Sequence, residues 1–249
     1  MRVETPGPEP QLGLGVVAPY DFSRDRELWR WVPDTVSVFI ARTERVTGAD
    51  NLGAVSALGD PSVVARPTRE VCEIGARVVA YACASCSFAG GARAEGELRR
   101  AMLAAGAPHA LTTSGAAVRA LRAVGARRLA VVHPYEEPVG ERLARYLAEA
   151  GFEVADTTAL GVPVDEALTA SYTQVADLVL TGNRADADAV FVSCTALPTY
   201  DLIAPLEREL GKPVVTANQA TMWAALEVLG LPATGPGQRL CRGRGTVRA

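Results

Sequence analysis

Apolar positions along this 249-residue chain gather into short continuous runs that alternate with longer stretches of helical period. The runs at Leu12–Ala18, 78–83, 129–133, 189–193 and 213–216 predict strands covered on both faces. Ala/Leu/Arg-rich stretches at 94–105, 115–123, 138–150, 203–210 and 219–229 carry the single apolar stripe of amphipathic helices. Gly-containing turns such as Val124-Gly125-Ala126 and Ala150-Gly151-Phe152 join helix to strand. Strands separated by helices in this way form βαβ units, so the expected class is α/β with a mainly parallel sheet.

The pattern also repeats. Val16-Val17-Ala18-Pro19-Tyr20-Asp21 returns as Val131-Val132-His133-Pro134-Tyr135-Glu136, an apolar strand ending in Pro-Tyr-acid each time. Cys83 follows Pro19 by 64 residues and Cys194 follows Pro134 by 60, and Val79-Ala80-Tyr81-Ala82-Cys83 matches Val190-Phe191-Val192-Ser193-Cys194. Two matches in register predict two similar lobes related by pseudo-symmetry. The expected division places 1–114 with 216–249 in the lobe of the first cysteine and 115–215 in the lobe of the second. Ligands of parallel sheets sit beyond the strands' carboxyl ends, which is where both cysteines and both Pro-Tyr pairs fall.

Composition narrows the function. Against 28 acidic residues stand 25 basic ones, a net charge of −3 without the basic surplus that nucleic-acid or anionic-membrane binding requires. No apolar run approaches a membrane span and the first residues lack a signal-peptide core, which predicts a cytoplasmic protein with small-molecule partners and, as a possibility, copies of itself. The five cysteines (72, 83, 86, 194, 241) have no secretory context and are expected mostly as free thiols outside any disulfide framework. Lys212 is the single lysine, at the start of a strand, which argues against Schiff-base chemistry.

Cys83 and Cys194 stand apart because each ends an apolar strand and precedes small or hydroxyl residues, Ala84-Ser85 and Thr195-Ala196. Such loops expose a thiol and aim amides and hydroxyls at one spot, where they bind an anion and lower the thiol pKa. With no Lys or Arg in either loop, substrate carboxylates are expected on Ser85, Ser87, Thr195, Tyr135 and backbone amides. Two thiols across a pocket can work as base and acid, as racemisation needs, or as nucleophile and proton donor. Cys83-Ala84-Ser85-Cys86 is formally a C-x-x-C motif. With no second pair and with His109 and His133 far along the chain, it makes a poor zinc site, and redox chemistry would leave the match at Cys194 unexplained. No cofactor or metal is therefore expected. Thr112-Thr113-Ser114-Gly115 and Asn218-Gln219 are expected to cap helices, and Trp29, Trp31 and Trp223 to lie in the core or an interface.

At its two cysteine loops the chain resembles the aspartate/glutamate racemase superfamily, in the branch of maleate cis-trans isomerases, arylmalonate decarboxylases and EutA-like proteins. Tyr81-Ala82-Cys83 is similar to the first-cysteine segment of the isomerases, and Ser85-Cys86-Ser87-Phe88 to the decarboxylase loop, where glycine takes the place of Cys83. Ser193-Cys194-Thr195, Asp201 and Leu210-Gly211-Lys212-Pro213-Val214-Val215 resemble both groups. The resemblance implies two Rossmann-like lobes around a cofactor-free site acting on a small carboxylate or dicarboxylate. It makes Cys83 the nucleophile, Cys194 the acid/base and Tyr135 a carboxylate ligand of a maleate isomerase-like enzyme. Racemisation and arylmalonate decarboxylation are the alternatives within the family, and a thiol redox sensor or ligand-binding protein is the alternative outside catalysis. Pro19, Phe22, Ala84, Ala196 and Asp165 complete the implied substrate shell. Phe22 and Asp165 stand where maleate isomerases hold pocket asparagines, which points to a substrate larger or less charged than maleate.

Overall fold

The computed structural model describes residues 10–46 and 51–242. Among these residues eight strands form two parallel four-stranded sheets. The first contains β1 (Leu12–Ala18), β2 (Val36–Arg42), β3 (Ala76–Tyr81) and β4 (Ala110–Thr112) in the order β2-β1-β3-β4. The second contains β5 (Arg128–His133), β6 (Glu153–Ala159), β7 (Ala189–Val192) and β8 (Val214–Thr216) in the order β6-β5-β7-β8. The second order is the first shifted by four strands, so the Pro-Tyr repeat marks a repeat of topology: β1 corresponds to β5 and β3 to β7.

The apolar runs are β1, β3, β5, β7 and β8, nearly every residue of which is buried. Helices cover them: α1 (Asp25–Trp29), α2 (Asn51–Leu58), α3 (Ala65–Glu73), α4 (Ala84–Phe88), α5 (Gly91–Ala104), α6 (Thr113–Ala123), α7 (Glu137–Glu149), α8 (Val164–Leu168), α9 (Tyr172–Gly182), α10 (Tyr200–Leu210) and α11 (Ala217–Val228). Three strands, β2, β4 and β6, escaped the apolar pattern. In β6 the residues are Glu-Val-Ala-Asp-Thr-Thr-Ala and none is fully buried, β2 is only half-buried, and the buried β4 has just three residues, too few for an apolar run to show.

Helices α6 and α11 begin alike. The Thr112 hydroxyl accepts from Gly115 N–H and the Thr216 hydroxyl from Gln219 N–H, each threonine in extended conformation at a helix start. The two helices pack on each other, with Thr113 Oγ1 2.9 Å from Thr221 Oγ1. The expected cap at 112–115 is therefore present, whereas at 218–219 the capping group is Thr216, leaving Asn218 free for another task. Trp31 is fully buried, but Trp29 is 46% exposed and belongs to no core. Among the described residues no helix is long and apolar enough to cross a membrane.

Candidate functional site

The carboxyl ends of the four inner strands converge on one cavity of about 370 Å³. After β1 come Pro19, Tyr20, Asp21 and Phe22; after β3, Cys83, Ser85 and Cys86; after β5, Pro134, Tyr135 and Glu136; after β7, Cys194, Thr195 and Ala196. The topological repeat thus supplies both lobes with the same kind of wall. Val55, Leu58, Val139, Val162 and Leu168 make the remainder largely apolar, and no Lys or Arg among the described residues lines it. A carboxylate bound here is held by hydroxyls and amides rather than by an ion pair.

Cys194 sits on the β7–α10 loop with φ 133°, the one positive φ of a non-glycine residue among the described residues. A side chain held there costs about 1–3 kcal/mol, which the surrounding loop must offset. Its Sγ accepts from Ala196 N–H at 3.4 Å. Burial pushes the thiol above its ordinary pKa, against the opposing effect of the Ala196 amide, the Tyr135 hydroxyl and the Leu197 amide. The expectation of an acidified thiol is corrected here: Cys194 is partly exposed, but its pKa is raised because desolvation of a thiolate outweighs those hydrogen bonds. Tyr135 is buried, its hydroxyl 3.2 Å from Ser193 Oγ, and burial likewise holds it as a neutral phenol. Asp21 faces the same cavity with its carboxyl raised by burial.

Cys72, Cys194 and Cys241 are free, as expected of most of the cysteines, but Cys83 and Cys86 are joined in a disulfide, which corrects the expectation of a free thiol at Cys83. Cys83, two residues past β3 and in extended conformation, caps α4, whose first turn carries Cys86 back until the two Cα atoms are 5.5 Å apart. That is within bonding range for two cysteines. Both sulfurs are nearly buried, correcting the picture of an exposed thiol at Cys83.

The other expected residues divide. Pro19, Phe22, Ser85, Tyr135, Thr195 and Ala196 reach the cavity. Ala84 is buried as the first residue of α4 and does not line it. Ser87 is corrected to a structural role: its hydroxyl lies 2.6 Å from the Cys83 carbonyl and 2.7 Å from Ser114 Oγ, facing the helix packing. Asp165 falls in α8, and its side chain lies outside the described residues.

A clamp from the first lobe holds the Cys194 loop, and no local pattern announced it. Arg24 Nε donates to Ala196 O at 2.7 Å and Arg24 Nη2 to Leu168 O at 2.8 Å. The buried Glu27 carboxylate accepts from Thr199 N–H at 3.1 Å and Thr199 Oγ1 at 2.8 Å. Asn218 Nδ2 donates to Thr195 O at 3.1 Å. In Glu27→Ala the buried Thr199 donors lose their acceptor, and urea unfolding is expected to show a loss of about 2 kcal/mol. Glu27→Gln, which keeps one carbonyl oxygen, is expected to lose clearly less; equal losses would mean that the Thr199 bonds contribute nothing.

The family model described as arylmalonate decarboxylase matches residues 52–240. The arylmalonate decarboxylase of Bordetella bronchiseptica is 36% identical over 185 residues, covering 72% of this chain and 77% of the relative. The maleate isomerase of Nocardia farcinica is 34% identical over 196 residues, covering 72% and 75%. Among solved structures, a mutant of the Nocardia farcinica maleate cis-trans isomerase with a covalently bound succinylcysteine intermediate superposes with a TM-score of 0.82 at 27% identity, covering 93% of this chain and 98% of that one. A liganded double mutant of arylmalonate decarboxylase gives a TM-score of 0.81 at 30% identity, covering 92% and 98%.

Proposed function

Because the chain belongs to the arylmalonate decarboxylase family, whose relatives include maleate isomerases, we propose that its reduced form is a cofactor-independent, two-thiol isomerase of a small carboxylate with an apolar substituent. The observation that carries this reading is that Cys83 and Cys194, from corresponding strand ends of the two sheets, line one apolar cavity together with Tyr135.

In the proposed reaction the Cys83 thiolate adds to one carbon of a cis alkene conjugated with a carboxylate. Cys194 delivers its proton to the neighbouring carbon, and the former double bond becomes a single bond that can rotate. Return of that proton to Cys194 and expulsion of the Cys83 thiolate then give the trans alkene. A protonated Cys194 at neutral pH suits the first proton transfer. Tyr135, Ser85, Thr195 and loop amides hold the carboxylate as charge builds on it. Asp21 in the wall and the absence of a lining cation disfavour a small dianion, and Phe22, Val55 and Leu58 favour an alkyl or aryl group.

Decarboxylation of an arylmalonate is the second reading, favoured by the free Cys194 thiol beside the apolar wall while Cys83 is bonded. Carbon dioxide would leave and Cys194 alone would protonate the resulting enediolate. The test is proton NMR of the dithiothreitol-reduced protein in deuterated buffer with maleate, methylmaleate and phenylmalonate. We expect cis-to-trans conversion of methylmaleate with kcat/KM at least about tenfold above maleate, the effect of one well-packed methyl group. Deuterated phenylacetate with neither alkene converted would replace the isomerase by the decarboxylase reading.

A further inference from the structure

Cys86 has no part in either reaction, yet the structure gives this second cysteine of the C-x-x-C motif a definite place. Cys86 lies in the first turn of α4, buried in the cavity wall, and is bonded to the sulfur that isomerisation would use as nucleophile. The Cys86 N–H points at Cys83 Sγ, 3.4 Å away, and Ser85 Oγ lies 3.9 Å from Cys83 Sγ and 4.0 Å from Cys86 Sγ. The third cavity cysteine, Cys194, is free and belongs to the other sheet's loops. One turn of helix therefore carries a thiol and its own bonding partner, so the pair closes without any movement of one lobe against the other.

We propose that Cys83 and Cys86 form a reversible oxidation site for small peroxides, with Cys86 as the resolving thiol that converts an oxidised Cys83 into a protected disulfide. Hydrogen peroxide enters by the cavity, and the Cys83 thiolate attacks one peroxide oxygen. The O–O bond breaks, hydroxide leaves and Cys83 becomes a sulfenic acid. The Cys86 thiol then attacks that sulfur, water departs and the disulfide forms. A dithiol reverses it by thiol–disulfide exchange, returning two thiols and leaving as its own disulfide. Without a resolving thiol, sulfenic acid proceeds to sulfinic acid, which dithiols do not reduce. The pairing chemistry stands by itself; its effect on turnover rests on the nucleophilic role proposed for Cys83.

The experiment treats reduced full-length protein with hydrogen peroxide, then iodoacetamide, and reads each cysteine by peptide mass spectrometry. Expected is loss of label at Cys83 and Cys86 together, an intramolecular disulfide in their shared peptide, and full return of both labels after dithiothreitol. In Cys86→Ala, Cys83 should pass to sulfinic acid and stay unlabelled after dithiothreitol. A wild-type Cys83 that reaches sulfinic acid as readily as in Cys86→Ala, or that bonds Cys194 instead, would overturn the proposal. Turnover measured on the same samples separates the two readings. If the disulfide forms and reduces as expected while peroxide leaves isomerisation unchanged, the oxidation site stands and the nucleophilic role of Cys83 falls.

Discussion

Cys194→Ser is expected to lower turnover on any accepted substrate by about 10²–10⁴-fold, since both readings of the site pass a proton through this one sulfur and a serine hydroxyl is far too weak an acid to replace it. The companion variant Cys194→Gly separates chemistry from folding. At φ 133° the native residue holds a conformation that glycine adopts freely, and Cys194 is alone in this among the described non-glycine residues. After the entropy glycine adds to the unfolded chain, Cys194→Gly should be more stable than wild type by about 1 kcal/mol in urea while remaining inactive. Retained turnover in Cys194→Ser would end both reaction schemes. A large destabilisation of Cys194→Gly would show instead that the sulfur's contacts with Ala196 N–H and Tyr135, rather than backbone strain, dominate that loop.

His133 governs the second large effect. It ends β5, is 1% exposed, and stacks on Tyr135 with ring centroids 5.1 Å apart and an interplanar angle of 21°. On its other side Gly140 of α7 leaves it room: a Cβ there would come within 2.7 Å of His133 Cε1. Neither ring nitrogen has a hydrogen-bond partner among the described residues. Burial alone brings its pKa down to about 4. Between that value and the unfolded value near 6.5, the unfolded chain binds a proton that the native state refuses. Stability therefore rises with pH through this window and is lost as pH falls through it. From about pH 7 to about pH 5 the loss attributable to His133 should be about 2 kcal/mol. His133→Leu removes the titrating group, so the wild-type-minus-variant difference in urea stability should shrink by that amount over the same interval. A difference that does not change with pH would mean that His133 is solvated or partnered in solution.

Both effects lie beside residues already marked by the repeat, which shows how far local pattern reaches. A continuous apolar run identifies a strand covered on both faces, and five such runs are five strands of the two sheets. The repeat of Pro-Tyr-acid and of the cysteine strand is visible in one dimension because corresponding strands carry corresponding burial. Loops at strand ends then bring Pro19, Phe22, Tyr135, Cys83 and Cys194 to one cavity without any knowledge of the packing. Edge strand β6 lacked such a signal, since four of its seven residues are polar and none is fully buried.

The sequence by itself determined the inner strands, the threonine cap of α6, the twofold use of one strand order and the residue types at the strand ends, all of which follow from burial period and chain direction within a few neighbouring residues. Only the tertiary structure decided which groups those residues meet. It turned Ser87 toward Ser114, sent Asn218 to the Thr195 carbonyl, carried Glu27 to Thr199 across 172 positions of chain, and closed Cys83 on Cys86. It also kept the proton on Cys194, because the cost of desolvating a thiolate depends on the whole wall around the sulfur, and no stretch of sequence contains that wall.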